Sequence, residues 1–256
     1  MAINTHMTKY TIGITTFSKR LNFLTTLVKQ VRQFTSEDVI IAVNGDNKSE
    51  FNNQYRKDVL TLCLQYDNVY PIFFTEFRGL PKMWNTIAIH SKNDLLCIMN
   101  DDIEITGNNL FTWLGGTNVQ TSETITILNG SFSHYIVTKQ LLEKLKYFDE
   151  RFLGFGHEDG DMMYRHIEML NKDVSNVSMH GIHNITSGVR DDNVRNSFGK
   201  YSEFNHEFLV GRFGPKYKPA DTPKIFTSFS PHMYKFMEDS DQYPYETFFR
   251  KNKENV

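Results

Sequence analysis

The stretch "LLCIMNDDIEI", residues 95–105, sets five apolar residues directly before an asparagine and two adjacent aspartates. Leu95 to Met99 show no polar alternation, so they read as a strand buried on both faces. Asn100, Asp101 and Asp102 end that strand. Neighbouring carboxylates at the edge of a core cost free energy unless something positive offsets them. Either they form a polar turn leaving the sheet, or they hold a metal ion, and the rest of the chain has to decide.

Upstream, strand and helix patterns alternate. "YTIGITTF" (10–17) reads as a strand and "LNFLTTLVKQVRQF" (21–34) has helical apolar spacing. "DVIIAVNG" (38–45) is a second strand, and a helical stretch over about 49–65 follows. "VYPIFF" (69–74) is a third strand, in which Pro71 points to an irregular or edge position. "LPKMWNTIAIHS" (80–91) is a short helix with Pro81 in its first turn. This alternation implies an α/β fold whose central sheet is mostly parallel and flanked by helices on both faces. Ligands of such sheets bind at the carboxyl ends of the strands, where Asn44, Asp46 and Asp102 would emerge on one rim.

Downstream the character changes. "TITIL" (124–128) and "SFSHYIV" (131–137) flank an Asn-Gly turn and predict a small antiparallel portion. "KQLLEKL" is a helix, and residues 148–170 run from a glycine-rich loop into another. From about residue 188 the chain is polar, aromatic and turn-rich. The expected organisation is a leader or cloning remnant at 1–7, a single domain over 8–214 with halves at 8–107 and 108–214, and an irregular C-terminal extension over 215–256. That extension is expected to cover the sheet or to shape an acceptor, partner or membrane-proximal face.

A length of 256 residues is ample for one core, and a net charge of −2 gives no electrostatic case for nucleic acid. Cys63 and Cys97 suggest no disulfide framework, which makes a reducing cytoplasm the default and leaves the sequons at Asn47, Asn176 and Asn184 without implication. No apolar run reaches the ~18 residues that span a bilayer.

Several stretches carry chemistry. In "GFGHEDGDMMYRH" (154–166), Asp161 and Arg165 are spaced for a helical ion pair. Glu158 and Asp159 remain at the loop–helix junction, where the helix N-terminus is expected to keep a carboxylate ionised, as a general base requires. "SMHGIHNITSGVR" (178–190) supplies His180 and His183 after an apolar-alternating strand. A histidine with a remote aspartate suits Mn²⁺ or Mg²⁺ better than zinc. "TTFSKR" (15–20) adds Thr15, Thr16, Phe17 and Arg20, and "FRGLPKMWN" (77–85) adds Arg78, Gly79, Lys82, Trp84 and Asn85, all on the rim suited to nucleotide contacts. Neither G-x-x-x-x-G-K-[ST] nor G-x-G-x-x-G follows the first strand, which argues against ordinary ATPases and dehydrogenases.

The order "TTF", "VNGDN", "RGLPKMWN", apolar strand–"NDD", "GFGHEDGD", histidine resembles a GT-A glycosyltransferase of the family 2 type. "FLGFGHEDGD" is similar to the carboxyl-terminal motif of family 7-like galactosyl- and N-acetylgalactosaminyltransferases, and "NHEFLVGRFG" (205–214) is similar to a segment of bacterial members. The resemblance covers residues 10–214. It implies a metal-dependent inverting enzyme that transfers a sugar from a nucleotide-sugar donor (UDP-hexose or UDP-N-acetylhexosamine) to a glycan or glycolipid acceptor in surface polysaccharide synthesis. Asp102 would be a metal ligand, with His183, or alternatively His180 or Asp101, completing the site around Mn²⁺ or Mg²⁺. Asn100 stands where the first Asp of D-x-D usually is. Thr15, Thr16, Phe17, Arg20, Asn44, Asp46, Arg78, Gly79, Lys82, Trp84, Asn85, Asn100 and Asp101 would hold the donor. The family's cation before the helical Asn is replaced by Trp84. Asp159 would be the base and Glu158 its acceptor-orienting partner. A cytoplasmic location, compatible with peripheral association at the inner membrane face, goes with this reading. The alternatives are a sugar-1-phosphate nucleotidyltransferase and a catalytically silent glycan-binding module.

Overall fold

The computed structural model describes residues 8–17, 20–45, 52–75, 77–116, 123–152, 154–185, 205–206 and 208–209. Asp46, residues 1–7 and the extension 215–256 lie outside them. Four strands, β1 (Tyr10–Thr16), β2 (Val39–Val43), β3 (Val69–Phe73) and β4 (Leu95–Asn100), are interleaved with helices α1 (Leu21–Phe34), α2 (Asn53–Cys63) and α3 (Leu80–His90). Then come β5 (Ile103–Ile105), α4 (Asn109–Gly115), β6 (Thr126–Leu128), β7 (Ser131–Thr138), α5 (Lys139–Lys144), α6 (Glu158–Leu170), β8 (Ser175–Val177) and β9 (Ile182–Asn184).

The main sheet has the order β3-β2-β1-β4-β7-β6-β8, and β5 pairs with β9 in a two-stranded sheet. β1, β2, β3 and β4 are mutually parallel, whereas β7 runs antiparallel to both β4 and β6. β1 and β4 are central and buried on both faces; β4 is accordingly a continuous apolar run up to Asn100, whereas β1 alternates apolar residues with threonine and glycine. β3 takes the edge, where Pro71 removes no needed ladder donor. At the β6–β7 turn, Asn129 and Gly130 have φ of 51° and 74°, the left-handed pair that a tight hairpin requires.

Each face of the sheet carries a core. Ile12, Ile14, Ile41, Cys97 and Met99 pack against Leu24, Leu27, Val28 and Val31, the single apolar stripe of α1. Ile40, Ala42, Leu96 and Ile98 meet Trp84, Ile87 and Ala88 of α3 on the other. α3 lies so close to β1 that a Cβ on Gly13 would stand 2.5 Å from Ile87 Cγ2. Among the described residues, no helix is long and apolar enough to cross a membrane.

Asp161 and Arg165 form the expected i, i+4 pair, with Nη2 to Oδ2 at 2.7 Å, but wholly inside the protein. Arg165 also donates to the carbonyls of Leu145 and Tyr147. The pair therefore anchors the loop that precedes α6 to its helix.

Candidate active site

The carboxyl ends of β1, β2 and β4, the start of β7 and the first turn of α6 surround a cavity of about 270 Å³. Thr15, Thr16, Phe17, Arg20, Asn44, Arg78, Trp84, Asn100, Asp101, Asp102, Glu158 and Asp159 all line it, although they come from five separate stretches of sequence.

Arg20 is the positive group that lets Asp101 and Asp102 stand side by side. Its Nε donates to Asp101 Oδ1 at 2.8 Å, and its Nη2 lies 2.7 Å from Asp101 Oδ1 and 3.0 Å from Asp102 Oδ2. The guanidinium is stacked near the rings of Phe17 and Phe23, at 5.0 and 4.9 Å. Thr16 Oγ1 donates to Asp101 Oδ2 at 2.7 Å and meets the Tyr55 hydroxyl at 2.9 Å. Burial pushes the Asp101 carboxyl up to about 6, against the downward pull of Arg20, so it remains ionised at neutral pH. Thr15 Oγ1 donates to Asn100 Oδ1 at 3.0 Å.

Asn44 is turned inward. Its Nδ2 donates to the Arg78 carbonyl and its Oδ1 accepts from the Arg78 N–H, both at 2.8 Å, which fixes the backbone of the exposed Arg78 at the cavity. Gly79 caps α3 where it abuts the glycine loop. A Cβ there would stand 2.7 Å from the Phe152 carbonyl oxygen. Leu80 N–H donates to the Gly154 carbonyl at 2.7 Å across the same contact.

Lys82 and Asn85 are not brought to the cavity. Lys82 pairs with Glu150 at 3.4 Å, and Asn85 is wholly buried, donating to the Phe148 carbonyl at 2.8 Å and accepting from the Phe148 N–H at 3.0 Å. Both tie α3 to the loop leading into α6. His180 and His183 line a different cavity; His183 sits in β9 opposite Glu104, and His180 precedes that strand. Ser131, Phe132 and Ser133 also line the main cavity, although their sequence reads as an ordinary strand. The signal was two hydroxyls at alternate positions, which share a face of a strand.

The ionisation expected of the α6 carboxylates needs correction. Glu158 is 6 % exposed, and burial, with the neighbouring Asp159 charge, pushes its carboxyl up to about 8. Desolvation outweighs both the helix N-terminus and the Gly156 N–H that Glu158 Oε2 accepts. Burial raises Asp159 too, but Asp159 is half-buried, accepts from the Gly160 N–H at 2.8 Å and lies beside His157. Burial thus favours retention of a proton at Glu158 near neutral pH. Asn205 Nδ2 donates to the Gly156 carbonyl at 2.9 Å, and Phe208 meets Phe152 edge-on at 5.1 Å, so part of the 205–214 stretch braces the glycine loop.

This proton has a consequence for stability. Between pH 4.5 and about 8 the folded chain keeps a proton on Glu158 that the unfolded chain has released. The stabilising contribution is full below pH 4.5 and is lost as the pH rises through about 8. Glu158→Gln is expected to flatten the fall in melting temperature over that range. Parallel melting curves for the two proteins would show that Glu158 titrates normally.

No protein-family model and no curated protein sequence matches the chain. Solved structures do. GalNAc-T7, determined with UDP, GalNAc and Mn²⁺, superposes with a TM-score of 0.62 at 9% identity over 95% of this chain and 55% of its own. The mannosyltransferase PcManGT from Pyrobaculum calidifontis, in complex with GDP-Man and Mn²⁺, gives 0.59 at 12% over 96% of this chain and 74% of its own. TarS from S. aureus gives 0.52 at 14% over 95% of this chain and 49% of its own. The chain thus spans about half the length of two of these structures. Sheet order, flanking helices and these superpositions agree on the architecture: the chain has the α/β GT-A fold.

Proposed function

We propose that the chain is a metal-dependent, inverting glycosyltransferase. It moves a hexose or N-acetylhexosamine from a UDP-sugar to a glycan or glycolipid acceptor, in surface polysaccharide synthesis at the cytoplasmic face of a membrane. The observation that carries this reading is the meeting of Asp102, at a strand end, with Asp159 and Glu158, at a helix start, across one cavity.

The donor set fits a phosphate-bridged ion and not a protein cage. Among the described residues no three His, Cys, Asp or Glu side chains converge on one point. Mg²⁺ and Mn²⁺ need no such cage, because they are held by one or two carboxylates together with substrate phosphates and water. Asp102 would supply that carboxylate, and Asp101, committed to Arg20 and Thr16, would hold the arrangement in place. When bound, the ion neutralises charge developing on the leaving diphosphate. Thr15, Thr16, Phe17, Asn44 and Arg78 would position the nucleotide.

Asp159 takes the proton of the acceptor hydroxyl as its oxygen attacks the anomeric carbon from the face opposite the leaving group. The bond from that carbon to the diphosphate oxygen breaks, and the nucleoside diphosphate leaves. Protonated Glu158 can donate to a sugar hydroxyl, a role for which an ionised carboxylate is unsuited.

Asp102→Asn is expected to abolish transfer while shifting the melting temperature by only a few degrees, since the amide oxygen can still accept from Arg20. EDTA should reproduce the loss. Full activity in EDTA would remove the metal from the mechanism. Release of UDP from a UDP-sugar, measured with and without Mn²⁺, separates this reading from a silent binding module, which releases none. A nucleotidyltransferase would release pyrophosphate from a nucleoside triphosphate instead.

A further inference from the structure

A second cavity, of about 660 Å³, lies beside the first, between the Asn129–Ser131 turn, His134 and the segment 178–184. It is within the range of roughly 300–1,000 Å³ usual for ligand sites. Ser131 lines both cavities and so forms a common wall.

The chemistry of the second cavity differs from that of the first. Among the described residues its lining contains no Lys, Arg, Asp or Glu. Hydroxyl, amide and imidazole groups surround two apolar side chains, Met179 and Ile182. Among the described residues a phosphate or carboxylate would find no lysine or arginine there, and a purely apolar ligand would strand the polar groups. A sugar ring matches both requirements, with hydroxyls at its edge and C–H groups on its face.

His134 narrows the match. The residue is 2 % exposed, its Nδ1 meets Ser133 Oγ at 2.8 Å, and its Nε2 has no hydrogen-bond partner. Leaving a buried polar atom unpaired costs free energy, which a small hydrogen-bonding group entering from the cavity would recover. A hydroxyl both donates and accepts, so it satisfies the ring in either tautomer, whereas an ammonium or a phosphate dianion suits only one. The wall is also held in place. Asn129 Oδ1 accepts from the Met179 N–H at 2.7 Å, and its Nδ2 donates to the carbonyls of Met179 and Ile182 at 3.0 and 3.1 Å.

We propose that this cavity binds a neutral sugar ring of the acceptor, the one next to the residue whose hydroxyl reacts. The assignment rests on the glycosyltransferase reading above. It makes the acceptor at least a disaccharide unit, with its reactive end at Asp159 and its next ring beyond Ser131.

The test uses the labelled full chain on an array of neutral and anionic oligosaccharides, alongside calorimetric titration of UDP with Mn²⁺. Wild type is expected to retain neutral glycans. His134→Phe and, independently, Ser178→Trp should lower that signal at least tenfold while UDP affinity stays within twofold. Ser178 is exposed at the cavity, so its variant fills the space without disturbing the core. Equal glycan signals in wild type and the Ser178 variant, or retention of anionic glycans alone, would overturn the assignment. Normal UDP binding with no glycan retained removes the cavity assignment and leaves the transferase reading standing. Loss of both ligands in wild type removes both.

Discussion

Asp159→Asn is expected to slow sugar transfer by about 10²–10⁴-fold, the usual effect of removing a general base. Asparagine keeps the oxygen that accepts from the Gly160 N–H, so the first turn of α6 stays formed and donor affinity should barely change. The loss belongs in kcat and not in donor KM, because the proton moves only as the acceptor attacks. Glu158→Gln should be milder, since a protonated carboxyl and an amide both donate a hydrogen bond. Proton NMR of the product should show the anomeric configuration opposite to that of the donor. Retention would require a nucleophile on the other face of the sugar, and a near-normal rate for Asp159→Asn would move the base to Glu158.

Asp161→Ala is expected to destabilise the fold by about 3–5 kcal/mol, because it leaves a guanidinium buried without its counter-charge. For a domain of this size that corresponds to a fall in melting temperature on the order of 10 °C. An exposed i, i+4 pair would lose less than about 1 kcal/mol, so the measurement discriminates sharply between the buried and solvated readings. Replacing both partners, as in Asp161→Leu with Arg165→Met, should recover only part of the loss. The carbonyls of Leu145 and Tyr147, which Arg165 now satisfies, would be stranded. Complete recovery would mean that these two bonds contribute nothing.

The strands that build the sheet were legible because two-sided burial writes itself as continuous apolar sequence, as in Leu95–Met99 and Val39–Val43. The Asn129-Gly130 hairpin was legible because positive φ restricts residue choice. Tertiary choices were less so. Lys82 and Asn85 sit on the same short helix as cavity-lining Met83 and Trp84, and periodicity does not say which side faces the loop at Phe148. The ionisation of Glu158 depends on burial supplied by distant segments, which no local helix-terminus argument contains. Arg20 reads from the sequence as a rim cation, but its contact with Asp101 spans 81 residues and is a property of the β1–β4 pairing.

That bridge separates two events that many metalloproteins join. Where anionic ligands have no resident cation, the chain stays unfolded until a metal arrives, and chelators denature it. Here one guanidinium touches both carboxylates and offsets part of their repulsion, so the sheet can close before any ion is present. On the proposed function, a metal ion would reach Asp102 in a chain already folded around Arg20. A chelated preparation should accordingly melt as a cooperative, folded protein, and its activity should return on adding Mn²⁺ without a refolding step.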